Sequence, residues 1–205
     1  MDNDNSSNLL NNEAAVSFIV AATRYCALLE TDSTPLWTLD TMKDCRSVLA
    51  NLYASALSLP PLHASVNYAE DGDYERIVTE ESYTKIRRRL ERFFGMEDRF
   101  LDAQQEGQKY MDRPVSVSVS ELMTDLYQSL ADPLWNIRQN GTDAVAGTLA
   151  DMQYAFEYEW GKSLLMVLKQ LHDLVVNPNF EPLSSTYGED EDLGEPFSEE
   201  YGDEL

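Results

Sequence analysis

Cysteine, histidine and basic residues are all scarce in this chain. It has 2 Cys, 2 His and 15 Lys plus Arg in 205 residues, against 37 Asp plus Glu. Two cysteines cannot build a disulfide framework. Cys26 and Cys45 fall at apolar positions of predicted helices and read as reduced core thiols, which points to the cytoplasm. Two histidines leave little for a metal or a nucleophile. Neither His63 nor His172 has Glu three residues before it, so the Glu-x-x-His pattern of di-iron bundles is missing. CxxC, HExxH, GxSxG and a glycine-rich phosphate loop are missing too. The sequence therefore assigns no catalytic residue, no metal and no cofactor, and the case for an enzyme is weak.

The shortage of bases leaves a net charge of −22. Nucleic acid and anionic membrane are polyanions, so neither is expected as a partner. A protein partner fits better, above all a basic one. Cation binding at the surface and mimicry of nucleic acid are the other readings the charge admits. Long hydrophobic runs are lacking as well: the longest, near Ala14 to Ala22, is too short to span a bilayer. The start, MDNDNSSNLLNNE, is polar with no basic region and predicts no secretory leader. The ending Gly-Asp-Glu-Leu resembles a retention signal only loosely.

What is present is helical periodicity. Thr142 to Val176 reads as one helix of roughly 35 residues, ~52 Å long. Its apolar line is Val145, Leu149, Met152, Phe156, Trp160, Leu164, Val167, Leu171 and Leu174, spaced by threes and fours. A second line, Tyr154, Tyr158, Leu165, Leu168 and Val175, widens the face, so several neighbours are expected to share this helix. Thr142 and Asp143 are its expected caps, and Asn177-Pro178 stops it. Gly161 in mid-helix implies the close approach of a neighbouring helix or of the Trp160 ring.

Four shorter helices precede it. Glu13 to Glu30 is apolar on nearly every side and predicts burial by several others. Ser33-Thr34-Pro35 signals the start of a second helix running to about Leu57, with the seam Met42, Cys45, Leu49, Leu52 and Ala56. Thr79 caps a third, with Tyr83, Ile86, Leu90 and Phe93 inward and Gly95 at its end. Ser118-x-x-Glu121 is a capping box for a fourth, with Leu122, Leu126, Leu130, Leu134 and Ile137 inward. Asp132-Pro133 is expected to kink or split that helix, with Asp132 as a new cap. Val115 to Val119 alternates with Ser, but nothing in the sequence offers it a partner strand. It reads as an extended lead-in.

Candidate sites follow from misfits. Glu157 falls inside the apolar face of the long helix at 100° per residue, between Trp160, Leu164 and Leu168. A carboxylate there needs a buried partner or a proton. Arg24, the odd residue of the first helix, is the candidate partner. With Tyr154, Trp160 and His172 these residues make a candidate buried polar site, structural or functional. The third helix carries the basic stretch of the protein, in which Lys85, Arg88, Arg89 and Arg92 form one stripe. The acids Glu70, Asp71 and Asp73 lack the spacing of an EF-hand loop. Asp98, Asp102 and Glu106 could share one face of a short helix, but three carboxylates without His are a weak metal signal.

Residues 177–205 hold ten acids and no Lys or Arg, a net of −10, leaving −12 for the body. Pro, Gly and Ser recur in this tail, as in disordered segments. Phe180, Leu183, Tyr187, Leu193, Phe197, Tyr201 and Leu205 punctuate it. Acid with aromatic is the pattern of a segment that docks on a partner, and the nearest candidate is the Lys85 to Arg92 helix.

Four stretches together resemble a known bacterial family. They are Arg24 to Glu30 (RYCALLE), Val78 to Tyr83 (VTEESY), Ser120 to Gln128 (SELMTDLYQ), and Phe156 to Gly161 (FEYEWG) continuing to Leu171-His172. The family is the one catalogued as domain of unknown function 5063. The resemblance covers about Glu13 to Val176 and implies an all-helical cytoplasmic domain. It supplies no activity, cofactor or catalytic residue.

The expected architecture is all-α. About five main helices (13–176) surround the long last one, behind a flexible N-terminus (1–12) and ahead of a disordered or loosely docked tail (177–205). Three functional readings follow. The first is a non-catalytic interaction protein of the bacterial cytoplasm. The second is an acidic nucleic-acid mimic or inhibitor seated on a basic protein. The third is an enzyme with a helical pocket around Glu157.

Overall fold

The computed structural model describes residues 9, 11–30, 37–62, 75–102 and 115–182. Helix α1 spans Glu13–Glu30, α2 Leu39–Leu57 and α3 Glu80–Phe94; α4 spans Val119–Asn140. Helix α5, Thr142–Ala155, passes through one π turn at Phe156–Trp160 into α6, Gly161–Val176. Between α3 and α4 lie a 3₁₀ turn, Gly95–Asp98, and two short strands, β1 (Arg99–Asp102) and β2 (Val115–Ser118).

The cap chemistry sets most starts. The Asn12 side chain accepts from the N–H groups of Ala14 (2.9 Å) and Ala15 (3.2 Å) at the head of α1. Thr38 accepts from Thr41 N–H (3.1 Å), so α2 starts at Leu39, later than Ser33-Thr34-Pro35 suggests. That tripeptide lies outside the described residues. Thr79 caps α3 through Ser82 N–H (3.2 Å), as expected from the sequence. At α5 the cap position is Gly141, with no side-chain bond, and not Thr142 with Asp143. Gly141 stands at φ 62°, a left-handed conformation in which only glycine is unstrained, and its N–H closes α4 on Ile137 O (2.9 Å).

The apolar lines predict the core well. Every residue of the α2 seam, Met42, Cys45, Leu49, Leu52 and Ala56, is buried, and so are all nine residues of the first line on the long helix. Cys26 and Cys45 are free and buried, and burial raises both thiol pKa values. The second line divides: Tyr154, Tyr158 and Leu165 are exposed, while Leu168 and Val175 are half-buried against the core. Helix α1 also shows Val16 and Val20 to solvent, so it is not enclosed on all sides.

Helix α4 is a shared partner of the other helices beside the long last one. Helix α4 packs against α1, α3, α5 and α6, while α6 also packs on α2. The reason is its wide buried side, which takes in Val119, Met123, Leu126, Tyr127, Leu130 and Pro133. Tyr25 ties α1 to this hub: its hydroxyl, fully buried, donates to Met123 O (2.8 Å). Tyr25→Phe should lower stability by about 1 kcal/mol in urea unfolding, with no change of fold. A loss near zero would show that the bond adds nothing over the ring's packing.

Three expectations about the α3–α4 region are corrected. Pro133 does not split α4, which runs unbroken through it. A proline inside a helix costs about 3 kcal/mol. Here its ring is buried against the core, and Asp132 beside it serves another segment. The Asp132 carboxylate accepts from Ile77 N–H (2.9 Å) and Val78 N–H (3.1 Å), fixing the chain that leads into α3. Next, Val115–Ser118 is a strand. It pairs antiparallel with Arg99–Asp102, with Phe100 opposite Val117 and Arg99 opposite Ser118. Its partner is four residues, RFLD, too short to announce itself by alternation. Finally, Asp98 and Asp102 share no helix face, since one lies in the 3₁₀ turn and the other in β1. Glu106 lies outside the described residues, as do His63 and Glu70-Asp71-Gly72-Asp73.

Candidate interaction surface

The π turn decides what the long helix presents. Gly161 N–H donates to Phe156 O, five residues back instead of four. One extra residue rotates everything downstream by about 100° relative to an unbroken helix. Trp160, Leu164 and Leu168 swing away from Glu157. Glu157 is therefore exposed on the outer face, and the apolar surroundings expected for it do not form.

The candidate buried polar site is not assembled. Arg24 and His172 are exposed, like Glu157 and Tyr154. Among the described residues no hydrogen bond or ion pair joins Arg24 to Glu157. Arg24 lines a groove of about 660 Å³ between α1 and α2, whereas Glu157 lines a separate cleft. Trp160 alone of the five is buried, its ring stacked on Phe18 at 6.5 Å and tilted against Phe156 at 4.9 Å. Its indole N–H is buried with no hydrogen-bond partner among the described residues. Tyr53 meets the edge of Phe156 at 5.2 Å and completes an aromatic cluster behind the π turn.

The cleft beside Glu157 measures about 380 Å³ and lies between the end of α2, the segment 59–62 and the α5–π-turn junction. Ala56, Leu59, Ala150 and Phe156 give it apolar walls. Gln153 pins one side. Its Oε1 accepts from Leu62 N–H (2.9 Å) and its Nε2 donates to Pro60 O (3.2 Å). Sequence periodicity gives no hint of that clamp, since a Gln on a helix face is most often solvated. At the cleft and just beyond it, Leu57 is 64% exposed, Tyr154 43% and Tyr158 65%. The two tyrosine rings lie 4.6 Å apart. Glu157 and Glu159, both exposed, flank Tyr158.

The basic stripe of α3 is only partly a surface. Lys85, Arg88 and Arg92 are exposed. Arg89 is half-buried and donates to Leu29 O at the C-terminal end of α1, where a cation meets the negative end of the helix dipole. Arg87, next to the stripe, pairs with Glu91 at 3.3 Å.

Among the described residues no group of three His, Cys, Asp or Glu side chains could hold a metal ion. No described helix is long and apolar enough to cross a membrane. The family model for Domain of unknown function (DUF5063) matches residues 10–177. The chain belongs to this family. That span of the DUF5063 domain includes every candidate residue above and leaves the acidic tail beyond Asn177 outside it. Among solved structures, the domain is similar to protein BF1032 from Bacteroides fragilis, with a TM-score of 0.67 and 24% identity. The match covers 84% of this chain and 99% of that one, and at that identity it shows the fold. No curated protein matches the chain.

Proposed function

We propose that this DUF5063 domain is a non-catalytic protein-interaction module of the bacterial cytoplasm, and that the π-turn cleft is where it takes its partner. The observation that carries the reading is the exposed trio Leu57, Tyr154 and Tyr158 beside an apolar cleft, with carboxylates at Glu157 and Glu159. Aromatic anchors with a charged rim are the make-up of a binding hot spot. On a chain of net charge −22 the complementary partner is basic, offering Lys or Arg to the rim and an apolar side chain to the cleft.

Two other readings are weaker. A pocket enzyme at Glu157 lacks its helpers, because Arg24 and His172 lie elsewhere. A nucleic-acid mimic needs carboxylates free to stand in for phosphates. Among the described residues, Asp98 and Asp132 are buried and hold backbone N–H groups, Glu30 accepts from Tyr127 (3.0 Å) and Asp125 from Tyr83 (2.6 Å), and Asp40, Glu91 and Asp173 pair with Lys43, Arg87 and Lys169.

The test is to capture partners from native lysate and then measure each purified partner against variants. Leu57→Asp and Tyr158→Ala should each weaken binding about 30-fold, the effect of losing a hot-spot side chain. Lys169→Ala, which removes an exposed pair with Asp173, should leave it unchanged. An acidic partner, or equal affinity for all four proteins, would sink the reading.

A further inference from the structure

We infer that the acidic tail, residues 183–205, seats on the basic face of α3 formed by Lys85, Arg88 and Arg92, with Phe180 as its anchor. The first observation is the course of the chain after α6. Asn179 N–H donates to Asn177 Oδ1 (3.0 Å) and Phe180 N–H to Asn177 O (3.2 Å), turning the chain back toward the body. Phe180 is buried and meets the edge of Phe93 at 6.1 Å. Phe93 in turn packs on Phe94 (5.1 Å) and Trp37 (5.6 Å). The tail is therefore tethered at the C-terminal end of the very helix that carries the stripe, one residue from Arg92.

The second observation is charge. The segment 183–205 contains nine acids and no base, and α3 bears four Arg and one Lys within eight positions of an otherwise acidic chain. Arg88 and Arg92 project to solvent. The third is reach. Lys85 lies about 12 Å along the helix axis from Phe93. Nine extended residues from Phe180 reach about 30 Å, enough to bring Glu189 to Asp192 over the whole stripe. A tether of that length holds the acids near the stripe at about millimolar effective concentration, which a free anionic partner must exceed. Tyr187 and Leu193 flank that acidic run, and an aromatic ring can stack on an Arg guanidinium. The contact covers the stripe against other anions and keeps the tail's acids from a basic partner until they are displaced. It stands independently of the cleft reading.

The test uses the full-length protein and a zero-length carbodiimide, which couples a lysine amine to a carboxylate in contact with it. The chain has five lysines, and Lys43 and Lys169, each in an exposed pair with an acid of its own helix, serve as internal controls. Links within one chain from the tail should concentrate at Lys85. They should fall about tenfold between roughly 0.05 and 0.5 M salt, as exposed ion contacts do. They should fall similarly in Arg88→Glu/Arg92→Glu, whose exposed sites leave the core intact. Phe180→Ala should reduce them several-fold. The inference is overturned if links spread evenly over the control lysines, form only between chains, persist in Arg88→Glu/Arg92→Glu, or do not form.

Discussion

Gly161→Ala will destabilise the protein by about 3 kcal/mol, although alanine is the better helix former by about 1 kcal/mol. A Cβ at position 161 would fall well inside contact distance of the Phe156 carbonyl oxygen, and 3.1 and 3.2 Å from two carbons of its ring. The carbonyl cannot move without giving up the five-residue bond from Gly161 N–H that closes the π turn. The ring cannot move freely because Tyr53 and Trp160 hold it. Strain therefore outweighs propensity. Thermal unfolding should shift down by about 10 °C for a chain of this size. The decisive partner experiment is removal of exposed Glu159. With one residue fewer the turn can close as ordinary α-helix, and the two halves keep their present phase. The deletion should cost little by itself and should rescue Gly161→Ala. A neutral Gly161→Ala, or a deletion that adds to its damage, would show that the π turn does not set the phase of this helix.

Asp98→Ala should cost a similar amount, about 3 kcal/mol. Asp98 is 4% exposed and, among the described residues, forms no salt bridge. Its stabilisation comes from position. Oδ2 accepts from the Ser118 hydroxyl (2.7 Å) and Oδ1 from Ser120 N–H (2.8 Å), at the N-terminus of α4. Ser118 Oγ in turn accepts from Glu121 N–H (3.1 Å). A carboxylate at that end of a helix is favoured by the dipole and by unpaired N–H groups. Hydrogen bonds to a charged acceptor contribute about 1.5–3 kcal/mol each, and the bereaved Ser120 N–H would remain buried. Asp98→Asn, which can still accept one bond, should lose about half as much. Urea unfolding measures both. Hydrogen exchange at Arg99 to Asp102 and Val115 to Ser118 should quicken in Asp98→Ala, because the strand pair is closed by the same carboxylate. If Asp98→Ala proves no worse than Asp40→Ala on the solvent face of α2, the cap is not what holds the hairpin to the hub.

Both effects come from residues whose importance the linear pattern hides. Asp98 reads as one acid in a row of three. Gly161 reads as a blemish. Asp132 reads as a spare helix cap, yet its two bonds go to Ile77 and Val78, some 55 positions away.

The sequence by itself determined the helices and their buried lines. Glu13–Glu30, the α2 seam and the nine apolar positions from Val145 to Leu174 follow from spacing alone, because a helix repeats every 3.6 residues and exposes or buries its faces accordingly. The family, too, was legible in short runs such as RYCALLE and FEYEWG. Tertiary structure alone decided the rest. It made α4 a hub, paired RFLD with VSVS, and left Pro133 inside a continuous helix. Each of these depends on contacts between segments far apart in the chain, which no local period encodes. It also turned Glu157 outward. A wheel drawn at a constant 100° places that carboxylate in the core, and a single five-residue hydrogen bond, permitted by the missing side chain of Gly161, moves it to the surface.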